Sequence, residues 1–281
     1  MIKEITFSLI LACFSVEQIH AQDFEGPDTV SVQSGQLTLK GLLWRPVGAG
    51  SFPSVIFCHG SYAISDTLIT PEQQISAPGP VFARKGYIYL ALFRRGVGLS
   101  KEQGENSATL IFDAFKEKGE EERNKVQLQQ LETDQLQDMI AGLTFLRKRK
   151  DVDINRLAVI GHSFGGSLAL LLAEHEPSLK AVVIFGAAGY SWDRSPQLRT
   201  RLIKAVKNIT APIMIIQAKN DYSINAGYAL DSVMNKLNKP HLLKMYPKFG
   251  NSAFEGHNLI SLSIETWQAD VFQFLCKNLK K

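Results

Sequence analysis

Ala158-Val159-Ile160-Gly161-His162-Ser163-Phe164-Gly165-Gly166 decides the reading of this chain. Leu157 to Ile160 is an apolar run of strand character, and it ends in Gly-x-Ser-x-Gly. Ser167 to Ala173 then reads as a helix. A strand, Gly-x-Ser-x-Gly and a helix in succession make a nucleophile elbow, a turn so tight that the serine is held in a strained backbone conformation. Side chains at Gly161 or Gly165 would collide with neighbouring backbone, which explains both glycines. The helix that follows aims its first amides at the same point, where a developing negative charge is stabilised.

Outward from the elbow, strands and helices alternate. Towards the N-terminus, Thr29–Val32 and Leu37–Arg45 flank the polar turn Gln33 to Gln36 and read as a β-hairpin. Ser54 to Cys58 is an apolar strand that stops at His59-Gly60-Ser61-Tyr62. A short helix starts at Pro80, and Tyr87 to Phe93 is the next strand, ending at Arg94-Arg95-Gly96. Residues 99–125 are polar and carry Gly104, Gly119 and the acidic run Glu120 to Glu122, with Leu110, Ile111, Phe112 and Phe115 as a small apolar patch. That segment is expected to be a cap or lid, since a long loop in a compact domain usually has a function or its own short helix, and a solvated surface insertion is the alternative. Val126 to Lys150 follows a helical period, with Leu136, Met139, Ile140, Leu143 and Leu146 on one face.

On the C-terminal side, strands are expected at Lys180–Phe185, Pro212–Gln217 and His241–Tyr246, and helices at Leu198–Val206, Ala226–Leu237 and Leu262–Leu279. This alternation predicts an α/β fold, with a mostly parallel central sheet and helices on both faces. Sites in such sheets lie at the C-terminal ends of strands. His59, Ser163, Asp221 and His257 all follow expected strands.

A serine hydroxyl needs a base within hydrogen-bond reach, and that base needs an acid to orient it. His257 lies in the glycine-bearing loop after the last strand and is the expected base for Ser163. His162 sits inside the elbow, beside the serine rather than facing it. Asp221, after the Pro212–Gln217 strand, is the expected orienting acid, and Asp193 is its rival. The backbone amide of Phe164 supplies one oxyanion donor. The turn after Cys58 supplies the other, from Ser61 or alternatively Tyr62. Tyr62, Trp192, Phe249 and Phe254 flank this site and are the expected substrate-binding side chains. Arg94 and Arg95 follow a strand end and read as a solvated pair, with contact to an acidic substrate as the alternative.

The 281 residues suit one large α/β domain, and 45% hydrophobic residues supply an ample core. A net charge of +4 spread along the chain, with no basic stripe, gives no case for a nucleic-acid binder. Lys3 followed by the apolar run Ile5 to Val16 and by Ile19-His20-Ala21 is the layout of a secretory signal peptide over residues 1–21. Residues 22–281 are then the mature domain, secreted or periplasmic, with no stable membrane insertion. Ile10-Leu11-Ala12-Cys13 offers the alternative of a lipid anchor at Cys13. Cys58 and Cys276 read as core fillers rather than a disulfide. No metal-ligand spacing is present, and oligomeric state is not readable.

With Gly161-His162-Ser163-Phe164-Gly165-Gly166, the His59-Gly60 turn, Asn220-Asp221 and Glu255-Gly256-His257 in place, residues 30–280 resemble the α/β-hydrolase superfamily and, within it, the dienelactone hydrolase family. The resemblance implies an α/β-hydrolase fold, a Ser163–His257–Asp221 triad and a cofactor-free hydrolase of small ester or acyl substrates. The dienelactone-cleaving enzymes use a cysteine nucleophile where this chain has Ser163, so dienelactone is not the expected substrate. A serine peptidase or amidase on the same fold is the alternative activity. A binding protein on a hydrolase scaffold is a third reading, opposed by the complete triad.

Overall fold

A computed structural model describes residues 23–62 and 70–280. The expected signal segment and Cys13 lie outside them. β1 (Phe24–Ser34) and β2 (Leu37–Pro46) form the expected hairpin, longer at its N-terminal end, and pair from Phe24–Pro46 to Ser34–Leu37. β3 (Phe52–Cys58) is followed by two short helices, α1 (Pro71–Ser76) and α2 (Gly79–Arg84). Thr70 caps α1 with a reciprocal Gln73 bond, a capping box that fixes the helix start.

β4 (Ile88–Leu92) leads to α3 (Ser107–Glu132) and α4 (Asp134–Arg147). Here the structure corrects the expected boundaries. The segment 99–125 is not mainly loop: Asn106 caps a helix that continues to Glu132, interrupted only where Gly119 adopts φ 80° and ψ −165°. The helix expected from Val126 to Lys150 is the end of α3 plus α4, divided at Thr133.

β5 (Val152–His162) enters the elbow and α5 (Phe164–His175) leaves it. Then come β6 (Ala181–Phe185), α6 (Pro196–Asn208), β7 (Ile213–Ala218), α7 (Asn225–Lys236) and β8 (His241–Tyr246). The chain ends in α8 (Ala253–His257), α9 (Leu259–Leu262) and α10 (Ile264–Asn278).

The strands form one sheet in the order β1-β2-β4-β3-β5-β6-β7-β8, parallel from β4 to β8 and antiparallel at the β1–β2–β4 edge. Alternation along each buried strand splits the core into two layers. Ile56 and Cys58 join Met139, Leu143, Leu168, Leu172, Leu202 and Leu230 from α4 to α7. Val55 and Phe57 face the other way, towards Phe82 of α2 and Trp267, Val271 and Leu275 of α10. Each such side chain contributes about 1.5–3 kcal/mol by leaving water. This is the expected α/β-hydrolase architecture, and its parallel strands bring the C-terminal turns of β3, β5 and β7 to the same end of the sheet, with β6 between β5 and β7. Cys58 is buried as expected, with burial pushing its thiol up to about 12, but Cys276 faces solvent on α10.

Candidate active site

The elbow takes its shape from the close approach of β5 and α5. Ser163 has φ 56° and ψ −119°, a positive-φ conformation that costs a non-glycine residue energy. The surroundings hold it: its amide donates to the Phe185 carbonyl at 2.8 Å, and its carbonyl accepts from Gly166 and Ser167. A Cβ on Gly161 would meet the Gly165 carbonyl, and one on Gly165 would meet the carbonyls of Cys58 and His59.

His257 closes α8, whose start is fixed by a reciprocal Ser252–Glu255 cap. It lies at a helix end rather than in a loop. The Asn220 side chain spans the gap between the β7 and β8 turns, donating to the Phe249 and Ser252 carbonyls at 2.7 and 2.8 Å and accepting from the Phe249 amide at 2.9 Å. That stitching sets His257 against the end of β7. His257 Nε2 lies 2.8 Å from Ser163 Oγ, and His257 Nδ1 lies 2.6 Å from Asp221 Oδ1. Asp221 also accepts from Gln217 Nε2 at 3.0 Å and from the Tyr222 amide at 2.7 Å. Burial alone would raise the Asp221 pKa, but bonds from His257, Gln217 and Tyr222 outweigh it and hold the carboxyl below its ordinary range. An ionised Asp221 fixes the Nδ1–H tautomer, which leaves Nε2 as the acceptor facing the serine. Asp193 is elsewhere, exposed and bound to Asn225.

His162 is buried, with its ring 4.8 Å from that of His257 and its Nε2 2.9 Å from the His257 carbonyl. Burial and repulsion from His257 lower its pKa to about 3, so it is neutral. It packs against His257 and braces that ring from the side.

The amides of Phe164 and Ser61 have no hydrogen-bond partner among the described residues. Gly60 packs against the elbow, where a Cβ would lie 3.5 Å from the Cβ of Ser163. Gly60, Ser61 and Tyr62 line the same cavity as Ser163. Beneath them, Arg94 is 1% exposed and donates to the carbonyls of His59 and Gly60 and to Gln135. Arg95 binds Asp138 and Asp134. The expected solvated pair is thus two anchored guanidinium groups.

Ser163 and His257 open into a cavity of about 900 Å³. Tyr62 and Phe254 line it, as expected, but Trp192 and Phe249 do not. Trp192 is 4% exposed in the core with Leu198 and Leu202, and Phe249 packs on the opposite layer. Their distance from the wall comes from side-chain direction, which sequence proximity to the site does not fix. The wall instead uses Phe112 and Phe115 of α3, together with Tyr190 and Tyr222, all four more than two-fifths exposed. Tyr222, whose ring is 4.9 Å from that of His257, was readable as the neighbour of Asp221. At the polar end, Arg123 and Gln127 both donate to Ser191 Oγ at 2.9 Å. Neither carried a sequence signal: Arg123 lies in the polar 99–125 segment, and Gln127 is a polar residue at the start of the expected Val126–Lys150 helix. Among the described residues no cluster of three or more His, Cys, Asp or Glu side chains forms a metal site, and no helix is long and apolar enough to cross a membrane.

Residues 39–263 match the dienelactone hydrolase family. Esterase EstD of Thermotoga maritima is 27% identical over 175 residues, which is 60% of this chain and 36% of that protein. The chain spans less than half the length of the curated relatives it matches. Among solved structures, dienelactone hydrolase from Anabaena variabilis superposes with a TM-score of 0.59 at 18% identity, covering 92% of this chain and 99% of that one. Acylaminoacyl peptidase from Pyrococcus horikoshii gives 0.64 at 18% identity, over 92% of this chain and 42% of the peptidase. At such identities these likenesses speak for the fold alone.

Proposed function

The chain belongs to the dienelactone hydrolase family, and on that premise we propose that it hydrolyses carboxylic esters through an acyl-enzyme on Ser163. The observation that carries this reading is the continuous chain from Ser163 Oγ through His257 to Asp221, with contacts of 2.8 and 2.6 Å, at the wall of an open cavity.

Ser163 Oγ attacks the ester carbonyl while His257 Nε2 takes its proton. Asp221 stabilises the imidazolium without being protonated. The carbonyl oxygen becomes an oxyanion, held by the amides of Phe164 and Ser61, with Tyr62 as the alternative donor. Collapse of the tetrahedral species expels the alcohol, which leaves with the proton from His257. Water then enters, gives its proton to His257 and attacks the acyl group. The carboxylic acid departs and the serine is restored. No step calls for a cofactor. The aromatic wall of Phe112, Phe115, Tyr190, Tyr222 and Phe254 suits an apolar acyl or alcohol moiety. Residues 1–21 direct the chain out of the cytoplasm in the same reading.

The test is hydrolysis of p-nitrophenyl esters from acetate to octanoate by residues 22–281, beside Ser163→Ala. Turnover that is lost in the variant supports the proposal, and equal slow rates for both proteins contradict it. Amide hydrolysis is the second reading, since the same Ser163–His257–Asp221 arrangement suits attack on an amide carbonyl. Faster release from an acylated amino-acid p-nitroanilide than from any ester would put it first.

A further inference from the structure

The charge beneath the oxyanion loop has no counterpart in the proposed chemistry. Arg94 is 1% exposed, and a buried cation is ordinarily paired with an anion. The nearby carboxylates, Asp134 and Asp138, are bound by Arg95. Arg94 spends its donors on neutral oxygens instead: Nη1 on the His59 carbonyl at 2.8 Å, Nη2 on the Gly60 carbonyl at 3.1 Å and Nε on Gln135 Oε1 at 2.7 Å. Its own amide donates to His59 Nε2 at 3.1 Å, which fixes the tautomer in which His59 Nδ1–H donates to the Gly60 carbonyl at 2.7 Å. Its Cζ also stands 5.4 Å from the centre of the Phe164 ring.

These contacts fall on both arms of the oxyanion hole. In a trans peptide the C=O and N–H point in opposite directions. Three donors, from Arg94 and His59, draw the two loop carbonyls inward. The Ser61 N–H belongs to the same peptide plane as the Gly60 C=O, so it must point outward, away from the guanidinium. Phe164, whose ring lies over the same guanidinium, supplies the other amide. Burial lowers the Arg94 pKa only to about 10, so the group stays charged at neutral pH.

Resting on the acyl-enzyme reading, we infer that Arg94 is the positioning residue of the oxyanion hole, holding the Ser61 and Phe164 amides at one point and placing behind them a positive charge with no ion pair of its own among the described residues. Its effect falls on the transition state, where the oxyanion exists, and not on the bound ester. Loss of Arg94 therefore lowers kcat and spares KM.

The experiment compares wild type, Arg94→Met and Arg94→Lys on p-nitrophenyl butyrate, with rates divided by the active sites titrated to completion with a fluorophosphonate. The titration removes any loss due to misfolded protein. Removal of one oxyanion donor costs about 10²–10³ in rate. Arg94→Met is accordingly expected to fall about 100-fold in kcat per titrated site, with KM within about threefold. Arg94→Lys keeps the charge but lacks the planar fork, and is expected to recover about tenfold over Met. Titrated Arg94→Met sites that turn over at the wild-type rate overturn the inference while leaving the hydrolase reading intact. An inert, unlabelled wild type overturns both. Should Arg94→Met not fold, Gln135→Glu decides. It gives Arg94 an anionic partner of the same shape, so about a tenfold fall in kcat with an unchanged melting temperature is expected, and an unchanged kcat overturns the inference.

Discussion

Two histidines next to the proposed nucleophile make the protein acid-sensitive in a defined pH window. His59 and His162 are both buried and neutral. Burial, together with repulsion from Arg94 and His162, holds His59 well below its ordinary pKa, and burial with repulsion from His257 holds His162 at about 3. In the unfolded chain each imidazole takes a proton below about pH 6.5. Between the folded and unfolded pKa values the unfolded state binds more protons, so stability is full above about 6.5 and is lost as pH falls. From pH 7 to pH 5 each histidine costs about 2 kcal/mol, about 4 kcal/mol for the pair. The carboxylates held below their usual range, among them Asp221 and Asp270, add to this loss only below about pH 5. The assay is urea unfolding at half-unit steps from pH 7.5 to 5, for wild type and His162→Gln. The wild type is expected to lose about 4 kcal/mol and the variant about 2 kcal/mol over the window. A flat profile, or identical slopes for the two proteins, refutes the assignment of neutral buried imidazoles.

Asp221→Asn removes the charge that fixes the His257 tautomer and is expected to lower kcat by about 10³–10⁴ with the fold retained, as read by ester hydrolysis and circular dichroism. Trp192→Ala and Phe254→Ala separate core from wall. The first is expected to cost about 3–5 kcal/mol of stability and leave the acyl-length preference unchanged, and the second to shift that preference with little loss of melting temperature.

Local signals carried most of the fold. The apolar runs that became β3 to β7 are buried on both faces, so their composition alone marked them, and the elbow is a contiguous motif whose geometry follows from its glycines. Asp221 and His257 were legible because chain order places them after successive strands. Long-range packing was not legible. α3 hid because the face it buries is polar: Arg123, Asn124, Gln127 and Gln130 are all buried, and its first half is largely exposed, so no apolar period appears. Trp192 and Phe249 sit close in sequence to the site but turn into the core. Arg94 reads as a surface charge in the sequence because its carbonyl partners, His59 and Gly60, are backbone atoms of the turn after β3, distant in the chain.

The central claim is that Ser163 carries the acyl group. The most direct measurement is intact mass followed by peptide mapping after brief mixing with a fluorophosphonate, repeated after preincubation with a slowly turned-over ester. The account predicts one adduct per chain, on the peptide containing Ser163, blocked by the ester and absent from Ser163→Ala. Ester turnover that persists with no adduct on that peptide, or an adduct that survives in Ser163→Ala, contradicts it.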